Sequence, residues 1–199
     1  MEPPEIWANE PDLERLRAAN AVLGSDPRHA LTIFQDLEKR GSIMSLVYIG
    51  HMFENGLGVK QDLSASERYY RRAYEGGSTS GLFSLGAVYW KSGDYVRAEQ
   101  MFLRGSERRD PRSLYWLACI YLNKTIDNGR YEKAATLLEQ AYSMGHIQSG
   151  RRLGRLLMTG RFGLLRKLMG LRLIISAAIA GAKIAVLNPS DERVKDLPI

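Results

Sequence analysis

Large hydrophobic residues along this chain recur three and four apart, and polar residues fill the positions between. That spacing places one apolar stripe on each of a series of helices, and no strand-like alternation competes with it. Ten helices are predicted, at about 11–23, 27–40, 43–55, 63–75, 79–91, 94–108, 111–123, 130–144, 147–159 and 162–183. A short pattern of apolar, small, two variable and then large residue occurs four times. It reads Ile49-Gly50…Phe53, Leu85-Gly86…Tyr89, Leu117-Ala118…Tyr121 and Leu153-Gly154…Leu157, in steps of 36, 32 and 36. A second pattern, small, then two large, then small, follows each copy. Its copies are Ser66…Tyr69-Tyr70…Ala73, Ala98…Met101-Phe102…Gly105, Ala134…Leu137-Leu138…Ala141 and Gly170…Leu173-Ile174…Ala177-Ala178.

Two amphipathic segments per period of this length describe a stack of helix pairs. No pair can hide its own stripe, so neighbours share a continuous core. Glycine costs a helix about 1 kcal/mol relative to alanine, so Gly50, Gly86 and Gly154 inside predicted helices imply close approach of two helix axes. The expected fold is an all-α, right-handed helix-pair solenoid of about five pairs. Its units fall at about 11–41, 43–77, 79–109, 111–145 and 147–181 within one repeat domain, 11–183. An acidic, proline-bearing lead covers 1–10 and a tail covers 184–199.

Expected helix ends agree with this partition. Asp26-Pro27, Asp94 and Asp110-Pro111 read as starts, and Ser64 with Glu67 reads as a capping box. Gly41, Gly77 and Gly145 read as stops.

The segment from Ile49-Gly50 through Phe53, Gly56, Gly58-Val59 and Asp62 resembles the Sel-one-like repeat, and Tyr69-Tyr70, Arg72-Ala73 and Gly77 are similar to its close. The unit holding Leu85-Gly86, Tyr89, Ala98, Phe102 and Gly105 has a shortened loop and resembles an ordinary tetratricopeptide unit. The resemblance covers about Ala18 to Gly181. It implies a non-catalytic adaptor or scaffold in bacterial envelope, secretion or signalling systems. Its motif residues are packing residues, so it names no partner.

Composition narrows the chemistry. The 199 residues are 45% hydrophobic and 25% charged, which suits a packed domain and excludes collagen or general disorder. One cysteine, Cys119, supports neither an internal disulfide nor a cysteine-rich metal site. His29, His51 and His146 lack metal-ligand spacing, and no nucleophile, base and carboxylate stand at a catalytic spacing. Gly56-x-Gly58 lacks a third glycine and a preceding strand, so it reads as a loop and not as a phosphate cradle. No catalytic residue, cofactor or metal is expected.

The net charge of +6 is uneven. Residues 1–139 hold 18 basic and 19 acidic side chains, whereas 140–199 hold 10 and 3. Gln140 to Ser190 contains no acid, and seven cations fall between Arg151 and Arg172. The first residues, acidic and proline-bearing, do not read as an export signal. The longest apolar stretch, Leu173 to Ala182, is ten residues, half of what a membrane-spanning helix needs. A cytoplasmic location is expected, with the inner face of the membrane as the alternative.

In tetratricopeptide-like arrays the first helix of each unit lines the concave surface, and the resemblance implies the same here. Positions left free by the motif are Val47, His51 and Glu54 in one unit and Phe83, Ala87 and Trp90 in the next. Tyr115, Cys119 and Leu122 follow, then Arg151, Arg155 and Met158. Val47, His51, Glu54, Phe83, Trp90, Tyr115, Arg151 and Arg155 together predict an aromatic groove with a basic end, suited to an acidic peptide or partner protein. The alternative is that the aromatics belong to the core. The last helix, basic at its start and apolar beyond, is either the final packing helix or a docking surface through Arg166, Lys167, Arg172 and Lys183. In the second case the protein is a peripheral membrane factor, as in bacterial surface-polysaccharide assembly, resting on a bilayer or an integral membrane protein. Such an apolar end also allows a homodimer. Nucleic acid comes third, because Tyr142 and Phe162 are the only aromatics in the basic third.

Overall fold

The computed structural model describes residues 4–123, 129–159 and 162–187. Every regular element among the described residues is helical, and consecutive helices pack as pairs. The chain divides into two compact units, Met1–Arg108 and Arg109–Ile199.

The first unit begins with a short helix α1 (Pro4–Ala8), followed by α2 (Leu13–Val22) and α3 (Pro27–Lys39). Next come α4 (Ile43–Asn55) and α5 (Leu63–Glu75), then α6 (Thr79–Lys91) and α7 (Tyr95–Glu107). The first helices of the pairs are α2, α4 and α6, and the second helices are α3, α5 and α7. The second unit contains α8 (Pro111–Asn123) with α9 (Gly129–Ser143), and α10 (Ile147–Met158) with α11 (Leu164–Leu187). The ten predicted helices are all present. The last one starts and ends later than its pattern suggested, and α1 is an addition.

In the pairs that begin with α4, α6 and α10, the small residue of the first helix faces a large residue of the second. A Cβ on Gly50 would stand 2.8 Å from ring carbons of Tyr70, and one on Gly86 would stand 2.9 Å from the Phe102 ring. A Cβ on Gly154 would meet Ile174 at 2.5 Å and the Gly170 carbonyl at 2.7 Å. In the α8–α9 pair alanine suffices, and Ala118 and Leu138 are both fully buried. These contacts set the helix spacing that the repeat pattern implied.

Helix starts follow the acids that the sequence marked. Asp26 accepts the His29 amide at 3.0 Å, Asp94 that of Arg97 at 2.9 Å and Asp110 that of Ser113 at 3.0 Å. The α5 start corrects the expected capping box. Asp62 accepts the Ala65 amide at 2.9 Å, so Ser64 lies inside the helix, on an exposed face, and caps nothing. A carboxylate two residues earlier wins the free N–H groups. Gly41, Gly77 and Gly145 follow their helices with positive φ, as expected of stops.

The described part of the segment read as a lead, residues 4–10, packs on the first unit. Ile6 is buried in the core with Leu16, Phe34 and Met52. Glu10 accepts the Met44 amide at 2.8 Å and the Ser42 hydroxyl at 2.5 Å, sealing the N-terminus of α4.

Candidate partner-binding face

The first-helix face of the first unit holds a pocket of about 350 Å³ that the sequence did not reveal. Trp7 of α1, Leu13, Leu16, Arg17 and Asn20 of α2, and Tyr48 of α4 line it. Leu16 forms a buried floor, Trp7 stays 39% exposed at the rim, and Arg17 and Asn20 supply polar groups. Tyr48 stacks on Phe34 with ring centroids 4.8 Å apart and planes 6° from parallel, which fixes its wall of the pocket. The pocket is thus apolar at its floor and polar at its edge.

The predicted positions on α4 part company. Val47 is half-buried against the core, and His51 is exposed. Glu54 is buried, and its carboxylate binds within the protein: the Tyr70 hydroxyl donates to one oxygen at 2.8 Å, and Lys91 pairs with the other. Gln61 donates to the Glu54 carbonyl at 2.8 Å, tying the following loop to the same point. Burial and the neighbouring carboxylate push the Tyr70 phenol above the ordinary tyrosine range. Glu54 therefore clamps α4, α5 and α6 together and does not offer its charge to a partner.

On α6, Phe83 and Trp90 are half-buried, and Ala87 lies between them in the same state. The Phe83 ring tilts against Phe102 at 5.9 Å, and Trp90 meets the edge of Tyr95 at 4.8 Å. Tyr95 is 55% exposed, so this aromatic pair has one packed and one open side.

In the second unit, Tyr115 is half-buried with its ring 5.1 Å from His146. Its hydroxyl meets Cys119 and Arg152, and burial, then Cys119, raises its pKa. Cys119 is buried, and that burial also raises the thiol pKa, the reverse of what a nucleophilic thiolate needs. Arg151 and Arg155 do not share this spot. Arg155 is exposed, while the Arg151 guanidinium approaches Gly181 of α11, 3.5 Å from where a Cβ would stand. One step of about 100° around α10 turns Arg152 toward Tyr115, so the basic partner of that tyrosine is its neighbour in sequence. Leu122 is half-buried and Met158 is 37% exposed.

His146 is buried, accepts or donates at 2.8 Å with the Ser149 hydroxyl, and has its pKa lowered to about 4 chiefly by burial. Asp110 is buried too, and its carboxylate takes the Ser113 amide and hydroxyl and the Arg112 guanidinium. The Asp110 group closes the start of α8, and His146 with Ser149 lies at the start of α10. Among the described residues no group of His, Cys, Asp and Glu has the geometry of a metal site.

On α11, Arg166, Lys167 and Arg172 are exposed, and Arg166 lies over the Phe162 ring at 5.6 Å. The side chain of Lys183 lies outside the described residues. Among the described residues no helix is long and apolar enough to cross a membrane.

Known proteins share this architecture. Residues 82–112 match the family model of the tetratricopeptide repeat. The fold is similar to a Sel1 repeat protein from Oxalobacter formigenes, at 18% identity and a TM-score of 0.69, covering 84% of this chain and 69% of that one. It is also similar to pilF of Pseudomonas aeruginosa, at 13% identity and a TM-score of 0.63, covering 92% and 94%. An immunity protein of Pseudomonas aeruginosa is similar at 17% identity and a TM-score of 0.61, covering 90% and 69%. No curated protein matches the sequence. One repeat-length stretch thus matches the tetratricopeptide repeat, and the helix pairs have the fold of Sel1-like and tetratricopeptide-like repeat proteins, which generally serve as scaffolds for protein interaction.

Proposed function

We propose that this protein is a non-catalytic adaptor that holds a segment of a partner protein against its first-helix face. The observation that carries the reading is the pocket between α1, α2 and α4, where Trp7 and Tyr48 frame an apolar floor beside Arg17 and Asn20. Aromatic and arginine side chains at a concave site are the usual anchors of protein recognition. An apolar side chain of the partner enters the pocket, and Arg17 holds an acidic or carbonyl group next to it. His51, exposed on α4, extends the contact along the helix. The half-open Trp90–Tyr95 pair on the same unit offers a second aromatic contact.

The catalytic alternative is weaker on chemical grounds. Cys119 is held as a thiol, His146 as a neutral base inside the core, and the carboxylates of Glu54 and Asp110 are consumed by structural bonds.

The test is affinity capture with the full chain, followed by titration of the identified partner. Trp7→Ala and Arg17→Glu are expected to weaken binding by at least about tenfold, as loss of an anchor residue does, with Arg17→Glu, at an exposed position, leaving the melting temperature unchanged. Equal affinity in both variants and the parent overturns the reading.

A further inference from the structure

The outward face of α11 is apolar where a helix facing water should be polar. Gly170 and Ala177 are buried, and Leu173 and Ile174 are half-buried, against the preceding helix α10. Leu168, Met169, Leu171, Ile175 and Ile179 point the other way and are each 48–60% exposed. At about 100° per residue, Leu168, Ile175 and Ile179 fall within about 20° of one line along the helix, with Leu171 and Ala182 beside it. Lys167 lies on one flank of this strip and Arg172 on the other. A shallow depression of about 330 Å³ runs along the strip, with Arg172 and Ser176 at its edge.

The charge around the strip decides what can cover it. No acid occurs from Gln140 to Ser190, and Arg166, Lys167, Arg172 and Arg155 are exposed. A second copy docked by a twofold axis would set these cations against their own counterparts, with no acid on α10 or α11 to pair them. A partner helix would be held in register by mixed charges at the edges of its seam and a polar residue within it. This strip has cations only, and Leu168, Ile175 and Ile179 form its unbroken centre. Flanking cations of one sign around an apolar strip match an anionic, fluid surface, with the long basic side chains reaching headgroups while the aliphatic centre enters the acyl boundary.

We infer that the outer face of α11 docks this protein on an anionic lipid bilayer, lying in the plane of the membrane and not crossing it. This surface is separate from the pocket at Trp7 and does not depend on it.

The test is sedimentation of the full chain with vesicles of mixed phosphatidylcholine and phosphatidylglycerol, against phosphatidylcholine alone. Binding to the anionic vesicles is expected to exceed neutral binding by at least about tenfold and to fall as salt rises. Ile175→Asp is expected to lose that binding at an unchanged melting temperature. Arg172→Glu, a reversal at an exposed position, is the second variant and should remove the preference for anionic lipid. Failure to bind anionic vesicles, or equal binding by the parent and both variants, overturns the inference. So does a lipid-free dimer in light scattering that Ile175→Asp dissolves, which assigns the face to a second copy. Capture of an acidic helical protein through this face without vesicle binding overturns it in favour of a protein partner.

Discussion

The hydroxyl of Tyr70 on α5 donates at 2.8 Å to the buried carboxylate of Glu54 on α4. The same carboxylate pairs with Lys91 on α6, so one acid joins three successive helices. The two bonds differ in worth. Lys91 is about half exposed and its pairing with Glu54 is screened by water, whereas the Tyr70 phenol and the carboxylate oxygen it serves are both buried. Tyr70→Phe leaves a buried carboxylate oxygen without its donor and is expected to cost about 1–3 kcal/mol. Lys91→Met is expected to cost less than about 1 kcal/mol. Urea denaturation of the two variants gives the order, and a larger loss for Lys91→Met contradicts this account.

The same ring sets the distance between α4 and α5. Alanine at position 50 gains about 1 kcal/mol of helix propensity, but its Cβ meets the Tyr70 ring at 2.8 Å. The clash is expected to win, giving a net loss of about 1–3 kcal/mol for Gly50→Ala. Gly154→Ala should be worse, because one of its contacts is the backbone carbonyl of Gly170, which cannot swing aside. Gly24→Ala meets nothing within 4 Å and is expected to change stability by less than about 0.5 kcal/mol. Thermal melts of the three variants check this order.

His146 makes the stability of the fold depend on acid. Its folded pKa of about 4 lies below the ordinary 6.5, so between these values the unfolded chain binds the proton and the folded chain does not. The contribution is complete above 6.5 and is lost as pH falls toward 4, amounting to about 3 kcal/mol. Asp110 pulls the pKa up and Arg112 pulls it down, both less strongly than burial. Chemical denaturation from neutral pH to pH 4 should show this loss in the parent and a flatter profile in His146→Asn. Parallel profiles contradict it.

The helix-pair architecture was legible because one physical demand repeats. Gly50, Gly86, Ala118 and Gly154 each mark where a second helix comes close, and Asp26, Asp94 and Asp110 mark where helices start. Five residues of α1 are too few to show a period, so Trp7 and its pocket stayed hidden. The α2 unit also lacks the apolar-small pair that located the other first helices. Position 54 looked free because the repeat pattern does not constrain it, yet Tyr70 and Lys91 converge there from two other helices. Arg151 and Arg152 differ by one position, and only the rotation of α10 tells which one meets Tyr115.

The central claim is that the first-helix face of the first unit holds a partner protein. In-cell photocrosslinking tests it most directly, with a photoreactive amino acid placed at His51, at Ala21 and at Leu103. Ala21 is exposed on α2 one turn beyond Arg17, and Leu103, 43% exposed on the second helix α7, serves as the comparison. One discrete protein adduct is expected from positions 51 and 21, lost when Trp7→Ala is added, and none from position 103. An adduct from position 103 with none from 51 or 21 contradicts the claim.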